Sequence, residues 1–232
     1  WEWWKVKINL ILLASGFSRR FNGNKLLTEL NDKPLYMYIV DTVREIISHK
    51  HLSSTYINKI ICVTQYEEIE ENLKDTNINV LINNNSDLGV SNSIKLGISY
   101  DMNADGYMFI VCDQPFIKKE TLEKILERFK ETNKGIVALG MRKQVENHDI
   151  CNKDNLADKS YVIGNPVIFS KNYISELLSL KGDIGGKRIL KKHIEDVELV
   201  YADNEIELMD IDTLDSYKEI KKVLETYEIY EN

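Results

Sequence analysis

Leu12-Leu13-Ala14-Ser15-Gly16-Phe17-Ser18-Arg19-Arg20-Phe21-Asn22-Gly23-Asn24-Lys25 follows directly on the apolar run Val6-Lys7-Ile8-Asn9-Leu10-Ile11. The run reads as a first buried strand, and its continuation at once trades hydrophobes for small and cationic residues. A solvent turn uses two or three such residues; an anion needs most of them. Ala14, Ser15 and Gly16 let the backbone approach a phosphate, consecutive N–H groups form an anion nest, and Arg19, Arg20 and Lys25 add charge. No Gly-Lys-Ser/Thr occurs here, since Leu26 follows the lysine, so the stretch is not a P-loop; it also lacks the Gly-x-Gly-x-x-Gly fingerprint. On spacing alone, a basic surface turn leading to a helix near Pro34 remains open.

Outward from this stretch, apolar runs recur at Val6–Leu13, Ile57–Thr64, Val80–Ile82, Tyr107–Cys112, Gly135–Met141, Val167–Phe169 and Val197–Tyr201. Tyr107–Cys112 shows no alternation, which suits a parallel strand buried on both faces. Between the runs lie helical stripes: Leu122, Ile125, Leu126 and Phe129, then Tyr217, Ile220, Val223, Leu224 and Tyr227. Pro34, after Asn31 and Asp32, marks a helix start. Alternating strands and helices predict an α/β fold, a mostly parallel sheet with helices on both faces. In such folds ligands bind beyond the carboxyl ends of the strands. Lys143–Lys159 is polar and charged, and reads as an exposed excursion or lid.

The 232 residues, with no Pro/Gly/Ser-rich linker, fit one domain spanning 1–232. A net charge of −7 argues against a generic nucleic-acid surface, so any anion site is local. No apolar run reaches the ~18 residues of a membrane span. The opening Trp1-Glu2-Trp3-Trp4-Lys5 carries charges that interrupt a signal-peptide core, and its clustered tryptophans read as a trimmed or engineered end. Cys62 and Cys112 fall inside apolar runs as small hydrophobes, and Cys151 completes a set without metal spacing, which fits a reduced, cytoplasmic protein. His49, His51, His148 and His193 show no paired spacing and read as structural or exposed.

Two acidic positions follow apolar runs. Asp113, in Cys112-Asp113-Gln114-Pro115-Phe116, can hold a hard cation against phosphates or can cap the next helix. Glu207-Leu208-Met209-Asp210-Ile211-Asp212-Thr213 reads as a last strand with Asp210 and Asp212 on one face; Asp212 is a second metal carboxylate or the cap of a helix near Leu214. In Asp87-Leu88-Gly89-Val90-Ser91-Asn92-Ser93 the serines either cap a helix or contact a nucleotide. Gly164-Asn165-Pro166 opens a strand, and Gly182-Asp183-Ile184-Gly185-Gly186-Lys187-Arg188 opens a basic helix. No Ser/His/Asp arrangement is legible.

In register, these motifs resemble the MobA-like nucleotidyltransferases, and within them the molybdenum cofactor cytidylyltransferase branch that matures molybdenum hydroxylases. The family opening LAAGxSxRxGxxK is LASGFSRRFNGNK here; the other matching stretches are GVSNSI, VCDQP, GNPVIF, GDIGGKR and DIDTLDSY, between residue 8 and about residue 217. The resemblance implies a Rossmann-like nucleotidyltransferase fold and transfer of CMP from CTP to molybdopterin, with Mg²⁺. It implies that Leu13, Ala14, Ser15 and Gly16 line the nucleotide while Arg20 and Lys25 hold the triphosphate. Asn83 and Ser93 would lie near the base or ribose. Asp113 would bind the metal with Asp212 as second ligand, Lys25 and Asp113 would carry the chemistry, and Asn165 and Asp183 would face the pterin. A molybdenum hydroxylase apo-enzyme is the implied partner; nucleic acid and membrane are not. Three departures stand out. Asn22 replaces the family glycine, with Gly23 one place later; Gly186-Lys187-Arg188 is stretched by one; and Ser15 stands in a place where the guanylyl branch shows a glycine pair, which favours cytidine. Alternatives are a transferase with another acceptor, such as a sugar phosphate, and a non-catalytic cofactor-binding chaperone.

Overall fold

A computed structural model describes residues 6–18, 20–21, 23–48, 56–142 and 161–231, with side chains as far as residue 224. The tryptophan-rich start, Arg19, Asn22, His49, His51, His148, Cys151, the expected 143–159 excursion and the Tyr227 side chain lie outside the described residues.

The first apolar run forms β1 (Ile8–Ala14), which sits inside a seven-stranded sheet. β4 (Ile57–Thr64) and β6 (Gly106–Val111) flank it in parallel, with Leu10 opposite both Ile60 and Met108. β5 (Asn79–Ile82) extends one side; on the other lie β8 (Tyr161–Ser170), β7 (Ile136–Arg142) and β9 (Val197–Tyr201). The order is β5-β4-β1-β6-β8-β7-β9, and β8 alone runs antiparallel to its neighbours. β2 (Glu29–Leu30) and β3 (Lys33–Pro34) pair separately.

Both faces of β1 are covered, and its side chains are apolar apart from Asn9, whose buried amide donates to Asp101 O at 3.0 Å. Leu10 and Leu12 enter a core with α1 (Leu35–Ser48), α4 (Lys119–Glu131) and α7 (Leu214–Glu231) through Ile39, Leu122, Ile125 and Ile220; α2 (Glu67–Leu73) joins through Ile69. Ile11 enters the opposite core with α3 (Val90–Tyr100), α5 (Ile174–Ser179) and α6 (Lys187–Lys192) through Ile94, Leu177 and Ile189. Burying each such side chain contributes about 1.5–3 kcal/mol. This is the predicted mostly parallel sheet with helices on both faces. Cys62 and Cys112 are core hydrophobes, and burial pushes the Cys62 thiol up to about 12. Among the described residues no helix is long and apolar enough to cross a membrane.

The helix expected at Pro34 begins at Leu35, directly behind a two-residue hairpin that Asn31 and Asp32 close between β2 and β3 with positive φ of 49° and 58°. Two segments differ from the sequence reading. β8 is ten residues long, with Asn165 and Pro166 excluded from the ladder where pairing jumps from Ala138–Val167 to Leu139–Gly164. The expected last strand at 207–213 does not form. Glu205–Leu208 is a 3₁₀ turn, and the chain then crosses the carboxyl edge of the sheet, tied by Ile211 N–H to Asp113 O at 3.0 Å. Met209–Asp212 alternates as a strand does, with Asp210 and Asp212 on one face, but Glu207 before it is wholly buried and its carboxylate accepts from Lys118 N–H and Thr121 O–H.

Candidate active site

The carboxyl ends of β1 and β6 open on a cleft of about 330 Å³, whose floor includes Leu13 and Val111. Behind β1 the chain turns sharply. Ser18 adopts a positive φ of 52°, Phe21 N–H bonds Ser18 O at 2.8 Å, and Lys25 N–H bonds Ser18 Oγ at 3.2 Å. Phe21 is buried and meets Tyr217 of α7 edge-on at 5.9 Å. That anchor folds the loop back over the cleft and carries Lys25 inward.

Lys25 is therefore no surface-turn residue: it is 7% exposed. Its Nζ donates to Asp113 Oδ2 at 2.6 Å and to Asp212 Oδ1 at 2.9 Å, while Arg20 Nη2 donates to Asp212 Oδ2 at 2.7 Å. Burial by itself would lower the Lys25 pKa, but the charges and hydrogen bonds of Asp113 and Asp212 outweigh it and hold the ammonium above 10.5. Burial works against Asp212 as well, yet Lys25 and Arg20 keep its carboxyl below the usual range. Nearby Asp210 is pushed up, by burial and then by the Asp212 and Asp113 charges.

Capping roles do not occupy these carboxylates. α4 begins at Lys119, with Lys118 as its cap residue and no side-chain bond there, so Asp113 caps nothing. α7 is capped by Thr213, whose Oγ1 accepts Ser216 N–H at 3.1 Å, leaving Asp212 to the cations. Likewise α3 is capped by Gly89 without a side-chain bond, so Ser91 and Ser93 are not its caps.

Ser15, Gly16, Arg20, Lys25, Ser93, Asp113, Asp183 and Asp212 share the cleft wall with Leu13. Ala14, Asn83 and Asn165 stand outside that lining. Ala14 is core, its carbonyl accepting Thr64 Oγ1–H at 3.1 Å. Asn83 lies behind Ser93, donating to its Oγ at 3.0 Å. Asn165 sits at the interruption of β8. Asp183 reaches the wall because Gly182 packs on Gly89: a Cβ on Gly89, whose φ is +84°, would fall 2.4 Å from the Gly182 carbonyl carbon. His193 is structural as expected, bonded to Glu176 at 2.9 Å and edge-on to Tyr173.

Sequence reasoning passed over Gln65 and Tyr66, which hold the Ser15–Gly16 backbone through Ser15 O and Gly16 O. The available signal was their position, polar residues directly after the buried run ending at Thr64.

Asp113 and Asp212 offer only oxygen donors beside a cation-lined cleft, a set that suits a hard divalent ion sharing its shell with water and phosphate. Among the described residues no group of three or more His, Cys, Asp or Glu side chains is placed to hold a metal by itself.

A doubly wound sheet with a cationic loop and paired carboxylates at its carboxyl edge defines a ligand-binding α/β protein. The profile of the MobA-like NTP transferase domain matches residues 10–197, and the chain belongs to that family. A probable molybdenum cofactor guanylyltransferase of Thermococcus kodakarensis is 30% identical over 124 residues, 53% of this chain and 54% of that protein. The chain thus spans about half the length of the curated relatives it matches. Among solved structures, a nucleotidyl transferase of Methanothermobacter thermautotroptrophicus superposes with a TM-score of 0.71 at 24% identity, covering 94% of this chain and 98% of that one. The Rv0371c protein of Mycobacterium tuberculosis H37Rv gives 0.69 at 19% identity, covering 94% and 99%. At these identities the likeness concerns the fold.

Proposed function

We propose that this protein is a Mg²⁺-dependent nucleotidyltransferase that moves CMP from CTP to the terminal phosphate of molybdopterin and releases pyrophosphate. The observation that carries this reading is the buried Lys25 ammonium held between Asp113 and Asp212 on the wall of the cleft. Nucleotidyl transfer needs no covalent enzyme intermediate. An acceptor phosphate oxygen attacks the α-phosphorus in line as the bond to pyrophosphate breaks, and the protein positions the reactants and stabilises charge.

Lys25 is held as an ammonium in the free protein, where its carboxylate partners outweigh burial and raise its pKa. It supplies a fixed positive charge to the triphosphate. Arg20, with its exposed guanidinium, adds a second at the cleft mouth. The backbone around Gly16 approaches the nucleotide without side-chain obstruction, since a Cβ there meets nothing within 4 Å. Asp113 and Asp212 would hold Mg²⁺, which supplies charge neutralisation on the phosphates when bound. Asp183 is held at the wall by the Gly182–Gly89 contact, and in this reading it would face the acceptor.

The cytidine assignment rests on Ala14-Ser15-Gly16, which lacks a glycine pair. A guanine reading is favoured by the name of the Thermococcus relative. Incubation with Mg²⁺, molybdopterin and each nucleoside triphosphate, with pyrophosphate release measured, tests both. CTP is expected to give the fastest release; faster release with GTP overturns the cytidine assignment. No release with any triphosphate overturns the molybdopterin reading.

A further inference from the structure

Gln65 stands at the end of β4, where one amide makes bonds in three directions. Its Nε2 donates to Ser15 O at 2.7 Å and to Tyr66 Oη at 3.3 Å, and its Oε1 accepts Ser86 Oγ–H at 2.9 Å. Tyr66 extends the grip by donating its hydroxyl to Gly16 O. Ser15 and Gly16 belong to the loop after β1, and Ser86 belongs to the turn after β5; both segments line the cleft. A single side chain therefore spans two walls that come from different strands.

Charge divides the cleft into two ends. Arg20, Lys25, Asp113 and Asp212 mark one end as the place for phosphates and metal. Around Ser15, Gly16 and Ser86 the bonded groups are carbonyls, hydroxyls and an amide, and the charged neighbour on the lining is the acidic Asp87 of the same turn, a set that suits a neutral base bearing amino donors rather than a phosphate. We infer that Gln65 is a positioning residue that fixes the separation of the Ser15–Gly16 loop from the Ser86–Leu88 turn, and so sets which size of base, pyrimidine or purine, the nucleotide slot accepts. This rests on the nucleotide reading proposed above. A purine carries one ring more than a pyrimidine, and a slot of fixed width discriminates between them, whereas a loosened one accepts both. Discrimination of this kind arises from a site that cannot adapt at low cost.

The test uses Gln65→Met, which keeps length and removes both polar ends, and Ser86→Ala, which removes only the far bond. Binding of CTP and GTP is measured by calorimetry on the parent and both variants, with melting temperature and steady-state kinetics alongside. For Gln65→Met, loss of the hydrogen bonds that join the two walls, to Ser15 O and from Ser86 Oγ, is expected to raise the Kd of the preferred nucleotide by about tenfold. The CTP-to-GTP affinity ratio is expected to move toward one, and the kinetic loss to fall on KM rather than kcat. Ser86→Ala is expected to act in the same direction by less, and the double variant to be no worse than Gln65→Met, because both changes break one link. An affinity ratio equal to the parent's in both variants overturns the inference, whether the variants stay fully stable or lose melting temperature. If the parent binds neither nucleotide, the nucleotide reading itself fails, a result distinct from any effect of Gln65.

Discussion

Lys25 Nζ lies 2.6 Å from Asp113 Oδ2 and 2.9 Å from Asp212 Oδ1, carboxylates 88 and 187 positions away in the chain. The contact closes the loop after β1 against the loop after β6 and the segment before α7. It keeps one positive charge in place where negative phosphates would enter.

Replacing Lys25 by Met is expected to slow pyrophosphate release by about 10²–10³-fold, the usual worth of a charge-stabilising donor. An exposed loop lysine would leave stability unchanged on replacement. The buried Lys25 instead leaves two carboxylates facing each other, a loss of about 1–3 kcal/mol once the partial exposure of Asp113 and Asp212 is allowed for. Denaturant unfolding beside an activity assay checks both halves; parent-like turnover would remove Lys25 from the chemistry.

Asp113→Asn preserves size and removes a charge that caps no helix. The expected outcome is a folded protein with turnover lowered at least about a hundredfold and a weakened Mg²⁺ dependence of nucleotide binding. A magnesium titration of pyrophosphate release reads it. Activity equal to the parent at low Mg²⁺ would show that Asp113 holds no metal.

Asp212 governs part of the acid limb of stability. Its folded pKa lies below 3.8, the unfolded value, so its contribution is present above 3.8 and is lost as the pH falls through the lower folded value. Asp210 has the opposite sign: its carboxyl is raised by burial and by Asp212 and Asp113, so the strain of ionising it is relieved as the pH falls. Melting temperatures between about pH 2 and pH 5 should fall less steeply in Asp212→Asn than in the parent. Identical slopes would show that the Arg20 and Lys25 contacts do not persist in solution.

Gly89→Ala places a Cβ 2.4 Å from the Gly182 carbonyl carbon, at a backbone φ of +84° and ψ of −178° that side chains avoid. Strain and overpacking together are expected to cost about 2–4 kcal/mol. The obstacle is backbone on both sides, so relief requires the Gly182–Asp183 turn to move off the cleft wall. Thermal unfolding and the KM for the acceptor should both change; an unchanged melting temperature would contradict the close approach.

The sheet was legible because burial writes itself into composition. Ile57–Thr64 and Val197–Tyr201 form strands over the same residues as their apolar runs. The interior strand β6 announces cover on both faces by its lack of alternation. Less of β8 was visible. Tyr161–Asn165 mixes polar and apolar residues, because its side chains are mostly half-buried and its ladder is interrupted before Pro166. The last expected strand failed because the shared spacing of Asp210 and Asp212 also arises in a segment that merely crosses a sheet edge.

Local patterning is enough for the strands, the helical stripes on both faces and the carboxyl-edge loops in which Lys25, Asp113, Asp183 and Asp212 stand. These follow from local periodicity and from the rule that parallel sheets bind ligands beyond one edge. Tertiary structure alone decided which of those residues meet: Lys25 with both aspartates, Arg20 with Asp212, Gln65 with Ser15 and Ser86, Gly182 with Gly89. It also decided that β8 enters antiparallel between β6 and β7. The reason is physical: hydrophobic period reports how much of a segment is buried and on which face, whereas strand order and side-chain partners depend on long-range closure, which no local pattern of residues encodes.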